Sequence, residues 1–121
     1  MKNVGKLSNY DIERIHEAAH ILTKKLRLDF TIKELAGLVL LNEKKLKQGF
    51  KEEFAMGVHA YQRYLRLEKV KAMLIQGKPH KVIVSATGFK SESGLSKTFR
   101  KVVGITPREW KENYRQLDRA V

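Results

Sequence analysis

The sequence predicts an all-α fold of seven helices, which form two helix-turn-helix subdomains joined by a long linker helix. Three observations predict this fold. Apolar residues recur at three- and four-residue spacing, only two prolines interrupt the 121 residues, and one helical pattern occurs twice along the chain. A chain of this length builds one compact domain or two very small ones.

The first three helices each begin at a residue whose side chain caps a helix. Ser8 and Asp11 have the spacing of a capping box, Thr31 and Glu34 have the same spacing, and Asn42 is the cap of the third helix. One face of each helix is apolar, and its positions are Ile12, Ile15, Ala19, Leu22 and Leu26, then Leu35, Ala36 and Val39, then Leu46, Phe50 and Phe54.

The remaining helix boundaries are set by glycine, proline and hydroxyl residues. A long helix is predicted from about Gly57 to Gln76, because Gly77 and Pro79 end it. Three more helices follow: one ends at Gly88, the next runs from near Ser91 to before Gly104, and the last begins in the Thr106-Pro107-Arg108-Glu109 segment.

An internal repeat relates the two halves of the chain. Phe50-Lys51 and Tyr61 recur 49 residues later as Phe99-Arg100 and Trp110, Leu46 pairs with Leu95 at the same offset, and Leu35 pairs with Ile83 at 48. Two copies are too few to bury the core of a solenoid, so two helix-turn-helix units are the better interpretation. The predicted divisions are residues 1–56 for the N-terminal helix and first unit, 57–77 for the linker helix and 78–121 for the second unit.

The charge of the chain indicates a polyanionic partner. Lysine and arginine number 25 against 13 acidic residues, a formal net charge of +12, which favours nucleic acid and less often an anionic membrane surface. The lack of cysteine excludes a disulfide scaffold, a cysteine-ligated zinc finger and a thiol nucleophile. It also fits a reducing compartment, so we expect a cytoplasmic, nucleoid-associated domain.

The longer helix of each unit has one exposed face without acidic residues. On a helical wheel Leu46 and Phe50 mark the buried side of the first such helix. The far side carries Lys44, Lys47, Gln48 and Lys51 in the first unit and Ser93, Ser96, Lys97 and Arg100 in the second. A helix that enters the major groove of DNA needs such a face, because it must donate to base acceptors and phosphates without competing negative charge.

Further residues are expected to contact phosphates. The first backbone N–H groups of each short helix, near Thr31-Ile32 and His80-Lys81, are placed to bind a phosphate oxygen, and Lys33 and Lys81 reinforce them. Lys51 and Arg100 are expected to hold phosphates beside the bases. The linker helix adds the candidates Arg63, Arg66, Lys69 and Lys71.

Both units resemble one known family. The second unit closely resembles the signature of AraC/XylS-type bacterial transcription regulators. The matching residues are Gly88-Phe89, Leu95-Ser96-Lys97, Phe99-Arg100-Lys101, Gly104-Ile105-Thr106-Pro107 and Trp110. The first helix-turn-helix and linker helix of that family look like Leu35-Ala36, Phe50-Lys51 and Tyr61-x-x-x-Leu65-Arg66-Leu67. The resemblance covers about residues 8–115.

The resemblance implies sequence-specific binding of double-stranded DNA by a bacterial transcription regulator, an activator or a repressor, with two recognition helices in successive major grooves about 34 Å apart. RNA polymerase is a second implied partner, and no cofactor, catalytic residue, metal ligand or membrane contact is expected. Many members carry an effector or dimerisation domain, so the chain is either a fragment or a small regulator. Base-contacting positions of the family fall on Lys44, Lys47, Gln48, Glu92, Ser93, Ser96 and Lys97.

Several positions depart from the family pattern. Leu40 stands where the first turn often has glycine, and Ala55 replaces the usual helix-ending glycine, so we expect a differently shaped first turn. Val84 replaces an alanine that packs against the recognition helix, and Gly94 weakens the second recognition helix by about 1 kcal/mol relative to alanine.

One enzyme motif competes with the DNA-binding interpretation. His16-Glu17-Ala18-Ala19-His20 matches the H-E-x-x-H pattern, in which two histidines bind zinc and the glutamate activates water. Thr23 is not the glycine of the extended motif and no third ligand stands out, so a zinc hydrolase is the less favoured alternative. A helical RNA-binding module is another alternative, and it would prefer single strands or hairpins.

Overall fold

A computed structural model of the chain describes residues 6–120, and within that range it contains seven α-helices and no strand. The all-α prediction is therefore confirmed. Residues 1–5 and 121, at the outer ends of the predicted divisions, lie outside the described range. The helices are α1 (Asn9–Lys24), α2 (Ile32–Leu38), α3 (Glu43–Phe54), α4 (Val58–Ile75), α5 (His80–Thr87), α6 (Glu92–Val103) and α7 (Pro107–Ala120).

The predicted caps form as hydrogen bonds. The Ser8 hydroxyl accepts from the Asp11 N–H at 3.0 Å while the Asp11 carboxylate accepts from the Ser8 N–H at 3.1 Å. The side-chain oxygen of Asn42 caps α3 and the hydroxyl of Ser91 caps α6, each accepting an N–H from the first turn. Leu26 departs from the prediction, because α1 ends at Lys24 and leaves this residue half-buried beyond the helix.

The chain divides into two compact units, residues up to Leu65 and residues from Arg66 onward. The division falls inside the uninterrupted helix α4, so the two ends of this helix belong to different cores. Val58, Tyr61 and Leu65 pack in the first core, and Leu67, Val70, Met73 and Leu74 pack in the second.

The core of the first unit joins α1, α2 and α3. Its fully buried residues include Ile15, Leu35, Leu46 and Phe50. At Gly49 the helices α1 and α3 approach so closely that a Cβ on this glycine would overlap the Cδ1 of Ile15. Glycine therefore permits the observed packing of α1 on the inner side of α3.

The internal repeat is confirmed by equivalent packing in the second unit. Leu95 and Phe99 are buried like their counterparts Leu46 and Phe50. The pair Phe50–Tyr61 meets edge-on with ring centroids 5.2 Å apart at 73°, and the repeated pair Phe99–Trp110 meets edge-on at 6.3 Å and 76°. The same aromatic contact thus braces α3 in the first unit and α6 in the second.

The two units differ at the residues that end their helices. Gly88 and Gly104 adopt positive φ angles of 84° and 99°, and the equivalent first-unit residues Leu40 and Ala55 adopt 59° and 61°. Leu40 takes up the left-handed conformation itself, and the first turn still has a different shape, as expected. One residue, Leu41, separates Leu40 from the cap Asn42, whereas Phe89 and Lys90 separate Gly88 from the cap Ser91. A left-handed residue with a Cβ costs roughly 1–2 kcal/mol, so the first unit holds strain that the second avoids.

Candidate nucleic-acid interface

The exposed face of α3 is cationic, as the wheel predicts. Lys44, Lys47 and Lys51 are exposed, whereas Gln48 is half-buried and its side chain or backbone already has an interaction partner. Leu46 lies on the opposite side and is fully buried in the core. The packing of α3 therefore directs three lysines outward, spaced over two turns of the helix.

The exposed face of α6 is equivalent but less charged. Ser93, Lys97 and Arg100 are exposed and Ser96 is half-buried. Leu95 and Phe99 hold the other side of α6 in the core of the second unit. This face combines two cations with two hydroxyl groups, so it carries less charge than the face of α3 and two neutral hydrogen-bonding side chains instead of one.

Glu92 lies in the first turn of α6 and is exposed. A carboxylate at this position is favoured by the partial positive charge of the helix N-terminus. This position gives Glu92 a structural reason to be acidic, independent of any contact with a base. Its role as a base-contacting residue stays a prediction, as do those of the other residues of α3 and α6.

The start of α2 differs from the prediction. The N–H of Thr31 donates to the Glu34 carboxylate at 2.9 Å, and the N–H of Glu34 donates to the Thr31 hydroxyl at 3.0 Å. The capping box therefore occupies the Thr31 amide, which was expected to be open, and places a negative charge beside it. The N–H groups of Ile32 and Lys33 remain at this terminus, where the Lys33 side chain is exposed.

The start of α5 fits a phosphate better than the start of α2. Its N-cap is Pro79, which gives no side-chain cap, and its first turn holds no acidic residue. The Pro79 carbonyl accepts from the N–H groups of Val82 and Ile83, so the amides of His80 and Lys81 are left outside the helical hydrogen bonds. Both of these side chains are exposed.

The remaining phosphate candidates have different surroundings. Arg66 is half-buried and makes contacts within the structure. Arg100 is exposed and lies near the carboxylate of Glu109 in α7. The pKa of Glu109 is lowered, first because the Thr106 N–H donates to its carboxylate and then through the Thr106 hydroxyl, with a smaller contribution from the positive charge of Arg100.

The first histidine of the H-E-x-x-H motif contacts residues of α3. The Nε2 of His16 is 2.8 Å from the Glu53 carboxylate, and the imidazole ring packs at 5.1 Å from the ring of Phe54. Between residues 6 and 120, no group of three or more histidine, cysteine or acidic residues is arranged to hold a metal ion. His16 instead connects α1 to the end of α3.

A membrane-spanning helix is also absent from the described part of the chain. No helix there combines the length and the apolar character that are needed to cross a bilayer.

The chain contains two helix-turn-helix units, and in each unit the outward-facing cations of one capped helix are not interrupted by acidic residues. This arrangement defines the class of double helix-turn-helix DNA-binding domains. The helix-turn-helix domain family matches residues 35–113, well over half of the chain. The chain belongs to the AraC/XylS-type branch of these domains, which is a family of transcription regulators and not of enzymes.

Individual relatives agree with this assignment. The chain is 27% identical over 106 residues to the transcriptional activator RhaR of Yersinia pseudotuberculosis, covering 86% of this chain and 36% of RhaR. An AraC-type regulator structure from Chromobacterium violaceum is 27% identical, with a TM-score of 0.74 over 83% of this chain and 90% of that one. The DNA-binding domain of AdpA, solved with a target DNA, has a TM-score of 0.76 at 17% identity over 85% of this chain and 94% of that one.

The chain spans about a third of the length of the curated relatives it matches. The match to the family begins at residue 35, so α1 lies before the matched region although it packs in the core of the first unit.

Proposed function

We propose that this chain binds an asymmetric site on double-stranded DNA by placing α3 and α6 in successive major grooves. The observation that carries the proposal is the repeated construction of the two units. Each presents a side-chain-capped helix whose inner side is buried and whose outer side carries donors and cations. The structure of AdpA with a target DNA supports the same use of the fold.

Base recognition is assigned to the outer faces of the two helices. Lys44, Lys47 and Lys97 would donate to the O6 and N7 acceptors of guanine, and Gln48 would pair with adenine. Ser93 and Ser96 add hydroxyl groups that accept or donate. Glu92 would accept from the exocyclic amine of cytosine if it reaches a base.

Phosphate binding is assigned to groups at the edges of these faces. Lys51 and Arg100 lie about one turn beyond Lys47 and Lys97 on the same helices. The amides of His80 and Lys81 at the open start of α5 form the stronger of the two helix-terminus sites. At α2 the amides of Ile32 and Lys33 remain, together with the Thr31 hydroxyl as a donor, and Arg66 adds a contact from α4.

The relatives suggest the setting of this activity. RhaR is a transcriptional activator that is much longer than this chain. We therefore propose that the chain acts as the DNA-binding part of a bacterial activator in the cytoplasm, associated with the nucleoid. RNA polymerase is the proposed second partner, and signal reception or dimerisation is assigned to a separate domain of the full regulator.

Selection of bound sequences from a randomised duplex pool, followed by titration of the selected site, tests the proposal. If the chain neutralises about six phosphates, the slope of log affinity against log salt is about −5. Competition by random duplex DNA and by a hairpin RNA of equal length is measured in the same titration. Preference for the hairpin, or a slope near zero, would contradict the proposal.

A further inference from the structure

The last two turns of α7 expose an apolar stripe. Trp110 is half-buried and packs against Phe99, and Tyr114 stacks on Trp110 with ring centroids 5.7 Å apart and planes at 18°. Tyr114 is nevertheless 39% exposed and Leu117 is 69% exposed. The spacing of these three residues puts them on one face of the helix, so the stripe begins at the core and continues into solvent.

One edge of this stripe carries two opposite charges. Lys111 and Asp118 are seven residues apart, which is about two turns, and both lie about 80–100° from Trp110 on the same side of the helix. No ion pair involves either residue within residues 6–120. The other edge carries Glu109, whose carboxylate accepts from the Thr106 N–H in the helix cap, and then the uncharged Asn113 and Ala120.

We propose that this end of α7 packs antiparallel against the same end of α7 in a second copy of the chain. In an antiparallel pair of helices like edges face each other. Lys111 of each copy would then lie opposite Asp118 of the other, so the dimer contains two Lys111–Asp118 ion pairs. A parallel pair would instead place Asp118 against the uncharged Ala120, and the acidic group facing Lys111 would be Glu109, whose carboxylate is already held in the cap of α7.

The size of the stripe makes this association weak. A standard stable interface buries about 800 Å² on each partner, and here Tyr114 and Leu117 are the main exposed apolar side chains. The net charge of +12 on each copy also opposes pairing, although salt at about 0.15 M screens charges separated by more than about 8 Å. We therefore expect self-association near millimolar concentration in solution, or when two copies are held close together.

Amide chemical shifts of the ¹⁵N-labelled chain, recorded at about 0.15 M salt without DNA, test the proposal from about 20 µM to about 1 mM protein. The expected result is a concentration-dependent shift confined to residues of α7, with an apparent mass in sedimentation that rises from that of the monomer toward that of a dimer. Because DNA is absent, this test is independent of the proposed DNA binding.

Charge reversal separates specific pairing from a general effect of net charge. Lys111→Glu and Asp118→Lys each turn two attractive pairs into repulsive ones, so each lowers the association constant about tenfold. A net-charge effect alone would make Lys111→Glu associate better and Asp118→Lys worse, since the former lowers the charge and the latter raises it. An equimolar mixture of the two variants restores both pairs and therefore restores association.

Two further variants complete the test. Leu117→Ser removes exposed apolar surface without disturbing the core and abolishes association. Arg119→Glu changes the charge by the same amount as Lys111→Glu on the opposite side of α7 and, unlike Lys111→Glu, does not weaken association. The proposal is overturned if the wild-type chain stays monomeric at about 1 mM, or if mixing the two charge-reversal variants restores nothing.

Discussion

The Nε2 of His16 lies 2.8 Å from the Oε1 of Glu53, and this contact connects the middle of α1 to the last turn of α3. Two more contacts run along the same pair of helices. The Lys45 Nζ is 3.3 Å from the Asp11 carboxylate, and Gly49 meets Ile15 at close range. Contacts at three successive turns of α3 make α1 a support for the first recognition helix.

Because Ile15 and Gly49 approach closely, substitutions at these two positions should have non-additive effects on the free energy of unfolding. Gly49→Ala introduces a Cβ that the Ile15 Cδ1 obstructs, and Ile15→Val removes that methyl group. We expect Gly49→Ala to be about 1 kcal/mol more favourable in the Ile15→Val background than in the wild type. Urea denaturation of the four proteins measures this difference. Gly57→Ala, where a Cβ meets nothing within 4 Å, is the control and should show no coupling to Ile15→Val.

The left-handed residues predict two stabilising substitutions. Leu40→Gly and Ala55→Gly each relieve an unfavourable backbone conformation at an exposed position, and the gain exceeds the added entropy of the unfolded chain. We expect each to raise the free energy of unfolding by about 0.5–1 kcal/mol.

The reverse substitution in the second unit is the matched control. Gly104→Ala adds a Cβ with nothing within 4 Å, so it introduces backbone strain alone and should destabilise the chain by about 1 kcal/mol. Thermal or chemical denaturation measures all three variants. A loss of stability in both Leu40→Gly and Ala55→Gly would mean that these side chains contribute more than their exposure suggests.

Base contact and phosphate contact predict different patterns of affinity. Truncating Lys47 or Lys97 to alanine should cost about 1–3 kcal/mol on the selected site and less on random duplex DNA. Lys51→Ala should weaken both equally and reduce the salt slope by about one. Lys24→Ala, which removes one charge from the last turn of α1, is the control for net charge. Fluorescence anisotropy on both duplexes distinguishes the two roles; equal losses for Lys47→Ala would reassign it to the backbone.

The capping carboxylates predict a loss of stability in acid. The Ser8 N–H that donates to Asp11 lowers the pKa of this carboxyl, and the Thr106 N–H does the same for Glu109. Because both folded-state pKa values lie below those of the unfolded chain, the stabilisation is present above about pH 4 and is lost as pH falls through the folded values.

Substitution of these carboxyls should flatten that dependence. Asp11→Asn and Glu109→Gln are each expected to be less stable than wild type at neutral pH and to lose less stability between about pH 5 and pH 2. Glu13→Gln, at an exposed carboxylate of α1, serves as the control and should follow the wild-type curve. Denaturant titrations across this pH range make the comparison, and parallel curves for all four proteins would contradict the assignment.

Local signals in the sequence were sufficient for most of the fold. Caps such as Ser8, Asn42 and Ser91 act within one turn, and the repeated Phe50 and Phe99 identify the two cores by their equivalent positions. The partner of His16 could not be found in this way, because Glu53 is 37 residues away and only the packing of α1 on α3 brings them together.

The difference between the proposed phosphate sites at the starts of α2 and α5 could be predicted in part from the sequence. The Thr31–Glu34 spacing predicts a capping box, and a capping box occupies the Thr31 amide that was expected to be open. Pro79 at the start of α5 offers no side-chain cap, so the same reasoning predicts that the His80 amide stays open. The exposure of Tyr114 could not be predicted from the sequence, because its four-residue spacing from Trp110 is typical of two residues that share a buried helix face.

The sharing of α4 between two cores restricts how the chain can be divided. A cut at Leu65 would leave either fragment with a frayed helix end and an uncovered apolar surface, since Leu65 and Leu67 belong to different cores within two residues. Neither unit is therefore a module that evolution or a protein engineer could transplant by joining at a loop. A substitution that leaves both cores intact is therefore confined to outward-facing residues, such as Lys47 of α3 and Lys97 of α6, with α4 kept whole.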